Sequence, residues 1–197
     1  MSDFEEQMLY HASPALLGRK QANLFSFAVG LLADYRKEIE AYRKELAPLG
    51  ISVEYLYYKN QRIYLLVYRK EMLLQYLNRP AVRAFLIHEG YPENVGEANA
   101  LSLCMNVLRR RIYHSTDFPH EIGFFFGYPE KDVFSFIREK GENYKICGDW
   151  KVYGDEKSAL RTFRSYQRCR KRLMEQAAAG IPILQLLHVG NHGSFSS

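Results

Sequence analysis

Cysteine is scarce in this sequence, and its three copies are widely spaced. Cys104, Cys147 and Cys169 are odd in number and form no Cys-x-x-Cys pair. Disulfide frameworks and zinc modules depend on paired, closely spaced cysteines, so neither class is indicated. The spacing favours reduced thiols in a cytoplasmic protein, with Cys147 and Cys169 as small buried residues.

Long apolar runs and a targeting segment are also missing. No stretch reaches the ~18 apolar residues that a membrane-spanning helix needs. The first seven residues are acidic rather than a basic segment followed by an apolar core, so they do not have the pattern of a secretory signal. We therefore expect a cytosolic protein.

Tryptophan occurs once, whereas there are 15 Tyr and 12 Phe. The abundant tyrosines favour a large amphipathic boundary of the core, and a pocket for a flat ligand is the alternative. With 197 residues, 47% of them hydrophobic and 25% charged, the chain has the profile of one soluble domain. We expect this domain to cover residues 1–189 and the tail, residues 190–197, to be disordered.

Hydrophobic periodicity predicts an α+β fold. Amphipathic helices are expected over residues 31–46, 95–113 and 155–178, a β-hairpin over residues 51–58 and 62–68, and two short strands between residues 143 and 153. Shorter helices are expected over residues 4–11, ended by Ser13-Pro14, and over residues 70–77 and 80–89. The three long helices should cover a small, mainly antiparallel sheet.

The stretch over residues 119–133 is the densest in special residues. The apolar run 122–126 predicts a core strand of the sheet, followed by a turn and a helix over residues 132–140. Directly before the run, His120 and Glu121 could act as general acid and base, because an imidazole exchanges its proton near neutral pH. Adjacent strand residues point to opposite faces, however, so a loop-orienting role for His120 is the alternative.

A second candidate set lies nearer the N-terminus. A lysine such as Lys20 can hold an anionic group, an asparagine such as Asn23 can fix an amide or carbonyl, and His11 could supply an imidazole. His11 and His120 together could also ligate a metal or a haem iron, although two imidazoles far apart in sequence are weak evidence. Tyr128, in the turn after residues 122–126, is a further candidate ligand-binding residue.

Basic residues follow one face of the longest predicted helix, which begins at a cap at Asp155. They are Arg161, Arg164, Arg168, Lys171 and Arg172. The net charge of +5 permits a polyanionic partner, and this face could contact nucleic-acid phosphates or an acidic protein. No known nucleic-acid motif is present and acidic residues share the helix, so nucleic acid ranks last among the partners. A solvated helix face without a binding role is the alternative.

Three stretches, residues 11–25, 119–137 and 147–155, together resemble one bacterial family. It is the domain-of-unknown-function family numbered thirty-seven ninety-three, found largely in anaerobic bacteria, and the likeness extends over nearly the whole chain up to the last helix. The resemblance implies no established activity. Its members often have a cysteine directly after the residue matching His11, whereas this chain has Ala12, so a thiol nucleophile cannot be required there.

Genes of this family often lie beside flavodoxin genes, so the resemblance implies redox or iron-related physiology. The leading hypothesis is a cytosolic ligand-binding or enzymatic domain whose pocket draws on His11, Lys20, Asn23, His120 and Glu121. The competing hypothesis is a non-catalytic adaptor that docks an acidic protein, such as a flavodoxin, through the basic helix face. The sequence leaves the cofactor and the oligomeric state open.

Overall fold

The computed structural model describes residues 2–31, 35–93, 99–114 and 118–192 of the chain. These residues form an α+β fold, as the sequence predicts. The helices are α1 (Asp3–Leu16), α2 (Tyr35–Leu46), α3 (Lys70–Leu77), α4 (Pro80–His88), α5 (Ala100–His114), α6 (Ile122–Phe125), α7 (Glu130–Arg138), α8 (Glu156–Ala178) and α9 (Ile183–His192). The strands are β1 (Ala22–Ala28), β2 (Ile51–Lys59), β3 (Arg62–Arg69), β4 (Ile146–Cys147) and β5 (Lys151–Val152).

The chain divides into two compact units. The first comprises Met1–Lys70 and Tyr166–Ser197, and the second comprises Glu71–Ser165. The expectation of one domain over residues 1–189 concerns independent folding and stays a prediction. Among the described residues, no helix combines the length and the apolar character that crossing a membrane requires.

The first unit contains a three-stranded antiparallel sheet in the order β1-β3-β2. The predicted hairpin is confirmed as β2 and β3. The chain reverses at Asn60 and Gln61, whose φ angles of 51° and 57° are left-handed, as a two-residue hairpin turn requires. Alternate residues of the strands enter the core, because successive side chains of a strand point to opposite faces.

Helix α1 packs its apolar face on this sheet. The ring of Phe4 meets those of Phe25 and Phe27 at centroid distances of 5.5 and 5.3 Å, and residues of α2, α8 and α9 complete the same core. The prediction that Ser13-Pro14 ends this helix is wrong, because α1 continues to Leu16. At its other end α1 is capped by Ser2, whose hydroxyl accepts a hydrogen bond from the Glu5 amide.

The second unit corrects the central prediction. Residues 122–126 do not form a strand: Ile122–Phe125 is the short helix α6, and all four of its residues are buried. In a fully buried apolar run, no alternation of apolar and polar residues distinguishes a strand from a helix. Strands β4 and β5 pair only with each other, so neither they nor residues 122–126 extend the three-stranded sheet.

Other predicted elements in this part of the chain are confirmed with shifted ends. Helix α7 begins at Glu130, with Pro129 at its N-cap, which is two residues earlier than predicted. The Asp155 carboxylate caps α8 by accepting from the Ser158 amide at 3.0 Å. Helix α5 belongs to the second unit rather than to the one that holds the sheet, and residues 95–98, where it was predicted to begin, lie outside the described residues.

The last described element of the chain is helix α9, which begins at Ile183. Its backbone continues to His192, inside the tail predicted over residues 190–197. Residues 193–197 lie outside the described residues.

Candidate ligand-binding site

A cavity of about 340 Å³ opens in the second unit. Residues from the segment before α6, from α6 and α7, and from the β4–β5 hairpin surround it. They are Phe118, His120, Ile122, Gly123, Phe126, Tyr128, Asp132, Val133, Phe136, Cys147, Gly148, Asp149, Trp150 and Lys151. Aromatic rings supply much of the wall, and charged groups are few.

The aromatic wall is built from rings that contact one another. Tyr128 stacks on Trp150 with centroids 5.5 Å apart and ring planes inclined by 30°. Behind this pair, Phe163 of α8 meets Trp150 edge to face at 4.6 Å. These contacts fix the plane of the single tryptophan, so the wall has its shape before any ligand arrives.

Asp132 holds this wall in place from the first turn of α7. Its carboxylate is buried and accepts three hydrogen bonds, from Trp150 Nε1 at 2.7 Å, from the Tyr153 amide at 2.9 Å and from the Gly154 amide at 2.8 Å. Bonds to a charged acceptor are among the stronger ones in proteins. Asp132 is therefore a positioning residue that ties α7, the hairpin and the indole together.

The hairpin passes so close to α8 that a side chain has no room at Gly148. A Cβ there would lie 2.3 Å from Cε2 and 2.6 Å from Cδ2 of Phe163, and these ring atoms are buried. At the other side of the cavity, a Cβ on Gly123 would lie 3.0 Å from a methyl group of Val133. Both glycines allow close backbone packing rather than an unusual φ.

Polar groups lie at the edge of the cavity. The exposed His120 imidazole meets the Phe136 ring edge to face at 5.1 Å. Lys151 Nζ donates to the Gly141 carbonyl at 2.8 Å and lies 4.6 Å from the centre of the Tyr144 ring. Cys147 is exposed, so the expectation that it is a buried residue is wrong, whereas Cys169 is buried as expected.

Glu121 points away from its neighbour His120 and does not line the cavity. It is 3% exposed, accepts from the Tyr91 hydroxyl at 3.0 Å and forms an ion pair with Arg111 of α5. Arg111 also pairs with Glu89 at 2.6 Å. Burial and the Glu121 carboxylate raise the pKa of Tyr91. Glu121 thus joins three segments of the second unit, and the adjacent acid and imidazole occupy different surroundings.

Tyr128 connects the cavity wall to α3, because its backbone carbonyl accepts a hydrogen bond from the Tyr76 hydroxyl. Burial, with a smaller effect of the Asp149 carboxylate, raises the pKa of the Tyr128 phenol. The phenol therefore stays protonated around neutral pH. Tyr128 and His120 are the sequence-predicted candidates that line this cavity.

The predicted site residues fall into both units. The first unit holds His11, Lys20 and Asn23, and the second holds His120 and Glu121. That the two sets share one pocket therefore stays a prediction. Lys20 is 3% exposed, with its ammonium 5.5 Å from the centre of the Tyr166 ring. Lys20 is therefore less accessible to a dissolved anion than a lysine on the surface would be.

Asn23 has a local structural partner. Its Oδ1 accepts from the Ala15 amide at 3.2 Å, one residue after Pro14 in α1. A proline inside a helix removes one backbone bond and displaces the carbonyl four residues earlier. That carbonyl, on Tyr10, accepts from Arg170 Nε at 2.8 Å. These two side-chain bonds explain why α1 runs through Pro14.

The basic residues predicted to bind a partner lie along α8 as expected from their spacing. Arg161, Arg164, Arg168 and Lys171 are exposed, and Arg172 is partly buried. Lys171 Nζ lies 3.8 Å from a Glu175 carboxylate oxygen, which is a weak exposed pair.

Sequence reasoning missed Asp132, Phe163 and Trp150 as parts of a site. They lie on α7, α8 and the hairpin, so no local spacing brings them together. The single tryptophan beside Gly148-Asp149 was the available signal. Among the residues that the structure describes, no group of three or more His, Cys, Asp or Glu side chains is placed to hold a metal ion.

Comparison with known proteins gives one match. A family model described as "Protein of unknown function (DUF3793)" matches residues 8–187. No curated protein and no solved structure matches the chain.

Proposed function

The chain belongs to the DUF3793 family, and because that description states no activity, we propose from the residues themselves that the protein binds a small, planar, largely apolar molecule. The proposed site is the cavity of the second unit. Its aromatic lining carries the proposal, since a wall of stacked rings suits a flat ligand.

The size of the cavity limits the ligand. About 340 Å³ lies at the small end of the roughly 300–1,000 Å³ typical of small-molecule sites. A compact ring system suits this volume better than an extended cofactor.

The rigidity of the wall supports binding rather than simple packing. Asp132 fixes the indole of Trp150 through a 2.7 Å hydrogen bond, and Phe163 supports the other side of the ring. A pre-formed site loses less conformational entropy when the ligand enters, which favours affinity. The rings that line the cavity are therefore already oriented to contact the flat face of a ligand.

The polar edge suggests how a ligand would be oriented. His120, Asp149 and Lys151 line the cavity, so a ring carrying one polar substituent could direct it toward them while its apolar part faces Trp150. His120 contributes the imidazole at this edge. Binding and orienting the ligand do not require catalysis. An enzymatic step at His120 would be a more specific version of the same proposal.

Phe118 offers a direct test with a matched control. Its side chain is 42% exposed and lines the cavity, whereas Leu160, also 42% exposed, does not line it. We expect Phe118→Ala to weaken binding of planar probes about tenfold, because an aromatic contact contributes ~1 kcal/mol or more, while Leu160→Ala leaves binding unchanged. Calorimetric titration with riboflavin and naphthalene sulfonate measures this.

Both substitutions should leave the melting temperature nearly unchanged, because both side chains are substantially exposed. Failure of both probes to bind the wild-type protein, or equal weakening by the two substitutions, would contradict the proposal. The same proposal includes the setting of the protein: a cytoplasmic location in a bacterium, anaerobic physiology and a link to redox or iron chemistry. The reduced, unpaired thiols and the family resemblance support them.

A second proposal is docking of an acidic protein, such as a flavodoxin, on α8. The exposed Arg161, Arg164 and Arg168 favour it, because exposed positive charge steers and orients acidic partners.

Replacing Arg161, Arg164 and Arg168 together by Gln should weaken flavodoxin binding at low ionic strength, with a smaller effect at high salt, where charges are screened. Pull-down at two salt concentrations checks this. Binding that is indifferent both to salt and to the substitutions would speak against docking by charge.

A further inference from the structure

An open cavity of about 650 Å³ lies in the first unit, where helix α2 passes over one face of the three-stranded sheet. Val29, Ile39 and Ile63 supply its apolar residues, from the position directly after β1, from α2 and from β3. Its lining residues differ from those of the cavity in the second unit. The two cavities can therefore be tested separately.

The strand register shows which side chains share the face under α2. Phe27 of β1 pairs with Ile63 of β3, and Ile63 pairs with Tyr58 of β2, so these three residues form a row across the sheet. Tyr55 pairs with Leu65, which lies two residues beyond Ile63 and therefore on the same face. Both tyrosines line the cavity.

Contacts from two positions of helix α2 hold it over this face. The ring of Tyr35 lies 6.2 Å from that of Phe27, measured between centroids. Two turns later, Arg43 Nε donates to the Val53 carbonyl of β2 at 3.0 Å. Arg36 and Arg43 are seven residues apart, which places them on the same side of the helix, and both line the cavity.

A β-bulge in β2 directs Tyr58 toward the cavity. The register shifts between Tyr55 and Tyr57, so Leu56 is the extra residue. In a regular strand, residues three apart point to opposite faces, and the bulge brings Tyr55 and Tyr58 to the same one. Tyr57 lies on the other face and stacks on Tyr64 with centroids 4.2 Å apart. Bulges that redirect a side chain are frequent next to functional sites.

The charged part of the cavity wall is positive overall, because two arginines and one glutamate line it. Glu40 is the glutamate, and its carboxylate pairs with Arg43 at 3.1 Å. The guanidinium carbon of Arg36 lies 5.8 Å from the centre of the Tyr35 ring, and its Nε donates to the Tyr35 hydroxyl at 3.4 Å. An anionic group suits this wall better than a cationic one.

We propose that this cavity binds a small apolar carboxylic acid, with its carboxylate at Arg36 and its hydrocarbon body against the rings of Tyr55 and Tyr58. A guanidinium matches the geometry of a carboxylate, and tyrosine hydroxyls are further donors. The volume lies within the roughly 300–1,000 Å³ typical of small-molecule sites. The site is independent of the ligand proposed for the second unit.

Adamantane carboxylate is a suitable probe, because its globular body lacks the flat face that the cavity of the second unit suits. Adamantane carboxamide is its uncharged counterpart. By calorimetry we expect saturable binding of the carboxylate, about tenfold tighter than that of the carboxamide. Arg36→Gln should remove this difference by weakening carboxylate binding alone. Lys44→Gln is the matched control, since Lys44 is an exposed cation of the same helix outside the lining, and it should change neither affinity.

Tyr58→Ala tests the apolar half of the site. Tyr58 is 50% exposed, and Tyr113 of the second unit, 54% exposed, is its control. Tyr58→Ala should weaken binding of both probes about fivefold, whereas Tyr113→Ala should leave both unchanged. Arg36 is also exposed, so both site variants should fold, and either one alone tests the site.

Equal affinity of the wild-type protein for the acid and the amide would overturn the ligand class. Absence of saturable binding, or equal effects of Arg36→Gln and Lys44→Gln, would overturn the site. Phe118→Ala, which removes a ring from the cavity of the second unit, should leave adamantane carboxylate binding unchanged. Failure of this site and failure of the proposed function are therefore distinguishable.

Discussion

Replacing Glu121 by Gln should lower the free energy of unfolding by about 2–4 kcal/mol. The substitution keeps the size of the side chain but removes the charge that pairs with Arg111 in a buried position. Breaking a buried pair from one side is costly because the remaining charge loses its compensation. Glu89 still pairs with Arg111, which keeps the expected loss below the upper end of the range for buried pairs. Urea denaturation measures the change.

Glu142→Gln is the matched control, because Glu142 is an exposed carboxylate of the same unit. Its substitution should change stability by less than about 0.5 kcal/mol. If Glu121→Gln proved as mild as this control, the buried network would not stabilise the unit as described. Unchanged affinity of the Glu121→Gln protein for planar probes would fit its place outside the cavity lining.

Substituting Gly148 by Ala should destabilise the protein by about 1–3 kcal/mol. The added Cβ would overlap the Phe163 ring at 2.3 Å, and that ring is wedged against Trp150. Overpacking of this kind forces neighbouring groups to move. The movement should also change the emission of Trp150, which is the only tryptophan in the chain. Thermal unfolding followed by tryptophan fluorescence reports both effects.

Two comparisons isolate the steric cause at Gly148. Gly30→Ala should be nearly neutral, because a Cβ there meets nothing within 4 Å. In the Phe163→Leu background, Gly148→Ala should cost less than in the wild type, since the smaller side chain can give way. Additive costs of the two changes would show that the ring and the glycine do not interact.

The elements that the sequence predicts well have a local signal. Helix α2 alternates apolar and charged residues at helical spacing, and the β2–β3 hairpin has strand-like runs on both sides of a short polar turn. The run 122–126 has no such signal, because five consecutive apolar residues fit any fully buried element. Helix α1 passes Pro14 because Asn23 and Arg170 bond the groups that the proline disturbs, and Arg170 is distant from Pro14 in sequence.

The residues of the candidate site also differ in whether a local sequence signal identifies them. His120 and Tyr128 stand out locally, in a dense stretch of special residues, and both line the cavity. The separation of His120 from Glu121 could also be expected, although a turn rather than a strand produces it. Asp132 could not be recognised, because its role depends on Trp150 and on two backbone amides of the hairpin, about twenty residues away.

Fluorescence of the single tryptophan tests the central claim most directly, because Trp150 forms part of the cavity wall. Titration with riboflavin or naphthalene sulfonate should quench its emission saturably at one equivalent, with weaker binding in Phe118→Ala and unchanged binding in Leu160→Ala. Quenching that rises linearly without saturation for both probes, or that is the same in the two variants, would contradict a binding site at this wall.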